Sequence, residues 1–181
     1  MNTLVVIVLV VAVVALIALA VGLARARRRD AERLQERFGP EWDRTVGRAD
    51  GRKERRHAQQ DLAERAETRD ELDIRPLGAA SRQQYAEQWH DTQARFVDAP
   101  QDALREAETL LDQVMRERGY PVEGFDEQAS LISVDHPDLV ENYRAAHALR
   151  ERSRNGATST EDLRDAMLRY RSLFDELLAP V

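Results

Sequence analysis

Four histidines, His57, His90, His136 and His147, are the side chains of this 181-residue sequence best suited to moving protons or holding a metal near neutral pH. None stands in an H-x-x-x-H pair, the spacing that puts two ligands on one turn of helix. His136 and His147 share a helical face only at a separation of roughly 16 Å, too far for one ion. His57 falls in a polar stretch that water solvates, and His147, beside Tyr143, reads as a histidine at the edge of a core. There is no cysteine, which excludes a disulfide framework and a thiolate metal site. No G-x-x-x-x-G-K or G-x-G-x-x-G loop is present to cradle a phosphate. The serines lack a nucleophile-elbow context. The carboxylates alternate with arginine, as in "REAE" (105–108) and "RERSR" (150–154), the pattern of solvated helix faces. These residues predict no catalytic group, no cofactor and no metal ligand. An enzyme whose site only the fold assembles is the reading left open beside that one.

The residues that do make a sharp statement are apolar. Residues 4–24, "LVVIVLVVAVVALIALAVGLA", are all Leu, Val, Ile, Ala or Gly, and Arg25, Arg27, Arg28 and Arg29 follow at once. At 1.5 Å per residue such a helix is roughly 30 Å long, the thickness of a hydrocarbon core. In lipid only a helix satisfies every backbone polar group within one segment. The sequence therefore predicts a single transmembrane helix. The arginines place its C-terminal end, and everything after it, on the cytoplasmic side of an inner or plasma membrane, with the N-terminus outside. The competing reading is a secretory signal cleaved near Ala20, which would leave a secreted or envelope domain. Against it, no basic n-region precedes Leu4 and the apolar run exceeds an ordinary signal core. Ala18-x-x-x-Gly22 and Ala20-x-x-x-Ala24 are small-residue spacings that also permit self-association.

The net charge of −6 hides two halves. Residues 25–60 carry 12 Arg/Lys against 7 Asp/Glu, and residues 61–181 carry 15 against 26. Cations next to an anchor are drawn to anionic headgroups, so Arg25, Arg27, Arg28 and Arg29 are the expected headgroup contacts. Nucleic acid is the other use of such a stretch. The interspersed carboxylates and the shortage of aromatics beyond Phe38 and Trp42 argue against it.

Stepwise punctuation then lays out the elements. "ARARRRDAERLQERF" extends the anchor helix, and Gly39-Pro40 interrupts it. From Glu41 to Leu72 apolar positions are sparse, so residues 25–78 read as a basic juxtamembrane helix and a polar stalk or linker without a core. Residues 79–181 read as a bundle of four to five helices with short connections. Helix starts are expected at Ser81-x-x-Gln84, at Asp98-x-x-Gln101 with Pro100, at Asp135 with Pro137, and at Thr158-x-x-Glu161. Gly119 and Gly156 are expected to end helices. Trp89, Tyr143 and Tyr170 lie on apolar stripes as core residues, and Phe96 with Val97 completes one such face. One connection is unusually apolar: Tyr120, Pro121, Val122 and Phe125 either tuck into the core or form a partner-docking loop.

The stretches "ERFGPEWDRTV", "RFVDAPQDAL", "VMRERGYPVEGF" and "VDHPDLVENYRAAH" resemble segments of an uncharacterised family of bacterial single-pass membrane proteins with a charged stalk and a small helical domain. The likeness spans most of the chain from about Arg33 onward. It implies the architecture and lends no functional residue, since that family has no assigned activity. The expectation is thus an all-α, membrane-tethered interaction or scaffold module. Its partners would be the bilayer and an unidentified protein or a second copy, with neither nucleic acid nor a small-molecule ligand.

Overall fold

The computed structural model describes residues 3–122, 124–154 and 158–179, with the side chains of Leu9 and of Val11 onward. Among these residues the chain is all-helical, with no strand: α1 (Thr3–Thr45), α2 (Gly51–Asp70), α3 (Ala79–Arg95), α4 (Pro100–Arg118), α5 (Phe125–Asp135), α6 (Val140–Arg154) and α7 (Thr160–Leu178). It forms two compact units, Met1–Gln59 and Gln60–Val181, whose boundary falls inside α2.

In the first unit, the helical backbone of α1 carries the whole apolar run. Among the described residues no helix is long and apolar enough to cross a membrane. Residues 11–24, the continuous part of the run with described side chains, amount to about 21 Å of helix. The expected break falls at Gly39, where two helical segments within α1 meet across a kink. Gly39 adopts φ 42°, ψ −120°, a conformation closed to residues with a Cβ, and Pro40 supplies no N–H, yet helix resumes to Thr45. Phe38, Trp42 and Val46, four residues apart in succession, are buried, as is Glu41.

In the second unit, α4 and α7 are the central pair. α7 lies along both α4 and α6, α3 packs on α4, and α5 on α6. Leu111, Val114 and Met115 of α4 and Tyr170, Leu173 and Phe174 of α7 are essentially inaccessible. These positions recur at three- and four-residue spacing, which is why two polar-rich sequences form helices with one dry face. Trp89 of α3 stacks on Phe174 with ring centroids 4.4 Å apart.

The region expected to be a coreless stalk contributes to this core. Leu77 belongs to it, Leu72 and Ile74 pack against it, and Leu62 and Ala66 of α2 are buried. The segment after α2 is strapped to the end of α4: the Arg75 N–H donates to the Arg118 carbonyl at 2.8 Å, and Arg118 donates to the Arg75 and Leu177 carbonyls. Gly119 ends α4 in the left-handed region, as expected, with φ 101°. A Cβ there would stand 2.6 Å from the Asp73 carbonyl oxygen, so the strap leaves room for glycine alone.

Helix starts shift from their expected positions. α3 begins at Ala79 with Gly78 as N-cap, which places Ser81 inside the first turn. α4 has Pro100 at its first position as expected, but Ala99, not Asp98, precedes it and no side chain caps it. Asp135 ends α5 instead of opening α6. The capping box of α7 is Ser159 with Asp162, one residue beyond the expected Thr158 and Glu161. Val97 lies past α3 and is 84 % exposed, so it is no core residue. Gly156 lies outside the described residues.

Candidate functional site

Arg25, Arg27, Arg28 and Arg29 sit on an unbroken stretch of α1, and all four are exposed. Directly before them the large apolar side chains Leu9, Val11, Val13, Val14, Leu16, Ile17, Leu19, Val21 and Leu23 are also exposed, to between 39 and 65 %. At about 100° per residue these nine point all round the helix, and no sector wider than about 80° lacks one. A surface helix would show a single apolar stripe.

The apolar connection before α5 is committed to the second unit. Tyr120 is 3 % exposed, and Val122 and Phe125 are half-buried against the core. The Tyr120 hydroxyl donates to Asp135, whose two carboxylate oxygens each lie 2.7 Å from Nε of Arg69. The Arg118 guanidinium stands 5.9 Å from the Tyr120 ring centroid. Burial, with the Asp135 carboxylate beside it, pushes the Tyr120 phenol well above its usual range. Tyr120 therefore has no free surface to offer a partner. Pro121 is half-buried.

Titratable groups do converge on α4, and the carboxylates and arginine among them come from the stretches expected to be solvated faces. Glu108 of α4 has 14 % of its side chain exposed and accepts from three sides. Nδ1 of His147 lies 3.1 Å from Oε1, the Tyr170 hydroxyl 3.3 Å from the same oxygen, and Arg150 donates to Oε2 at 2.8 Å. One turn further along α4, Asp112 accepts from Gln128 at 3.3 Å, and Gln128 accepts from the Tyr143 hydroxyl at 2.9 Å. Burial raises the Asp112 carboxyl above its ordinary value and the Glu108 charge adds to the rise, against the Gln128 hydrogen bond. The Phe125 ring stacks on His147 at 3.6 Å.

An imidazole held by a carboxylate is the base-and-orienter pair of proton-transfer chemistry. Here, however, the carboxylate's acceptors are taken up by three donors from two helices and an aromatic ring covers the imidazole. The arrangement locks α4, α5, α6 and α7 together. Removing one partner would leave a half-buried charge uncompensated. A sequence signal for it existed: Tyr143, His147 and Arg150 recur at four and three residues on α6, and Glu108 and Asp112 at four on α4.

The other histidines lie apart. His57 and His90 are exposed. His136 follows α5, with Nδ1 3.5 Å from Glu176 and Nε2 buried without a partner among the described residues. Burial lowers its pKa and Arg118 lowers it further, against the pull of Asp135 and Glu176. His136 and His147 do not share a helix, because α6 begins at Val140. Among the described residues no group of His, Asp and Glu is placed to hold a metal ion. A cleft of about 360 Å³ lies between α2 and α5, with Asp61, Glu64, Arg65, Asp126 and Glu127 in its lining.

The chain matches no protein-family model, no curated protein and no solved structure.

Proposed function

We propose that this protein is a membrane-tethered helical interaction module, with the apolar run of α1 spanning a bilayer and the chain beyond the arginines on the cytoplasmic side. The observation that carries the reading is the all-round exposure of the described large apolar side chains that precede the arginines on α1, Leu9 to Leu23. A contiguous apolar surface of this kind is unfavourable in water at roughly 25 cal/mol per Å². A groove on a partner would cover one face of the helix, whereas a bilayer covers them all. With the helical backbone beginning at Thr3, the uncharged run is 21 residues, about the span of a hydrocarbon core. The arginines at one end only give the orientation. The resemblance to single-pass bacterial proteins agrees with this reading. The compact second unit is the body that binds another protein or its own copy.

The test is carbonate extraction, protease accessibility of a C-terminal tag in intact cells and in spheroplasts, and mass measurement on the same sample. The expected result is a full-length chain that stays with the membranes and a tag protected in both. A tag digested in spheroplasts, or a chain starting beyond the apolar run, overturns the orientation and favours the secreted reading.

A further inference from the structure

We propose that Arg25, Arg27, Arg28 and Arg29 form a collar that binds the phosphates of anionic phospholipids in preference to zwitterionic ones. The inference rests on the bilayer reading of α1 and adds the lipid class.

Three observations support it. First, the four guanidiniums are exposed, and none forms an ion pair among the described residues. Several arginines of the second unit differ: Arg69, Arg150 and Arg169 are each held by a carboxylate. Second, the helical phase spreads the four around the axis. At about 100° per residue Arg25, Arg28 and Arg29 share an arc of about 100° and Arg27 stands roughly opposite. Their five-residue span rises only about 6 Å, so they occupy one depth when the helix stands upright. Third, the apolar run ends at Ala24, so that depth is the headgroup layer.

Guanidinium matches phosphate oxygens in bidentate geometry and is weakly hydrated, which suits it to this layer. The nearest carboxylate, Asp30, falls in a sector that holds none of the four arginines and one step further from the apolar run. Residues 25–30 thus keep a net charge of +3. The other basic turn, Arg52, Lys53, Arg55 and Arg56 on α2, has polar neighbours and no adjoining apolar run to set it at the headgroups.

Full-length protein carrying a donor dye is reconstituted into phosphatidylcholine vesicles containing a trace of acceptor-labelled phosphatidylglycerol or, in parallel, acceptor-labelled phosphatidylcholine. Energy transfer then reports the lipids around the helix. Transfer to the anionic probe should exceed transfer to the neutral one and should fall towards it in high salt. Each neutralised arginine should lower the preference by up to about fivefold, the equivalent of roughly 1 kcal/mol. The quadruple Arg25→Gln, Arg27→Gln, Arg28→Gln, Arg29→Gln variant should abolish it while still floating with the vesicles. Neutralising Arg52, Lys53, Arg55 and Arg56 should leave the preference in place. Equal transfer to both probes in the unaltered protein, or a preference that survives in the quadruple variant, overturns the collar. Failure of the unaltered protein to float with vesicles of either composition overturns the bilayer reading itself, so the two failures are told apart.

Discussion

The apolar run of α1 and the pair α4 with α7 all carry rows of large aliphatic side chains, yet they arrange them differently. On α4 and α7 most apolar residues keep one face and most charges the other, with Leu168 exposed and Arg118 and Glu108 drawn inward as exceptions. The buried face finds a partner helix, and Leu111 and Leu173 are fully inaccessible. On α1 the apolar residues surround the axis, and Leu16, the most exposed of them, is 65 % accessible. The run on α1 has no charged residue, whereas α4 and α7 alternate apolar and charged positions, and only the latter pattern gives one face to bury. Angular distribution and the absence of charge together separate a helix that can bury one stripe against a partner from one whose apolar surface runs all round, the feature on which the proposed bilayer reading rests.

Substitutions on both sides can break or sharpen this comparison. The largest effect is expected for Leu16→Arg with Leu19→Arg. Each arginine near the centre of a spanning helix costs roughly 3 kcal/mol of insertion. The double variant should lose its resistance to carbonate extraction, while the thermal transition of the second unit stays where it was. An unchanged extraction profile would mean that the apolar run does not sit in lipid.

Leu111→Ala should do the converse, leaving extraction alone and destabilising the second unit by about 2–5 kcal/mol through lost burial and a residual cavity. Denaturant titration of the detergent-solubilised chain measures it. A loss well below that range would show that α4 and α7 are less tightly packed than their burial implies.

Gly119→Ala is smaller in atoms and still costly. It forces a Cβ into a left-handed residue and against the Asp73 carbonyl oxygen. The expected cost is of order 1–3 kcal/mol, and proteolysis near Asp73 should rise as the strap loosens. If stability is unaffected, the segment between α2 and α3 is not part of the core.

The smallest effect is expected at Asp112, and its sign reverses the usual loss. Because the folded-state pKa is raised, the charged carboxylate opposes folding. The opposition is absent below the unfolded-state value and sets in as pH rises through the folded one. Asp112→Asn keeps an acceptor for Gln128, so it should raise the melting temperature at neutral pH and match the unaltered protein in acid. A lower melting temperature at neutral pH would show that the charge on Asp112 contributes to holding α4 against α5.

Much of the helical unit was legible from local rules. Pro100 at the first position of α4, Gly119 at its end and the faces of α4 and α7 follow from propensity and periodicity. Cap positions were less secure, because Thr158 and Ser159 are adjacent hydroxyls with Glu161 and Asp162 at matching offsets. Which pair closes depends on how the chain enters α7. The Glu108 constellation was visible only as shared helix faces on α4 and α6, not as a meeting of the two. A carboxylate among arginines looks the same in sequence whether its neighbours are water or His147, Arg150 and Tyr170 from two other helices.

What the sequence determined alone is the all-helical class, the uncharged 21-residue run and the arginines that close it, because each depends on neighbours along a single helix. Tertiary structure decided which polar residues left water. It buried Leu62 and Leu77 of the supposed stalk and packed Leu72 against the core, fastened that segment through Arg69 and Arg118, and turned an ordinary helix face into the Glu108 network. Those outcomes depend on side chains tens of residues apart meeting in a dry interior, where an unpaired polar group is costly and a paired one fixes the arrangement.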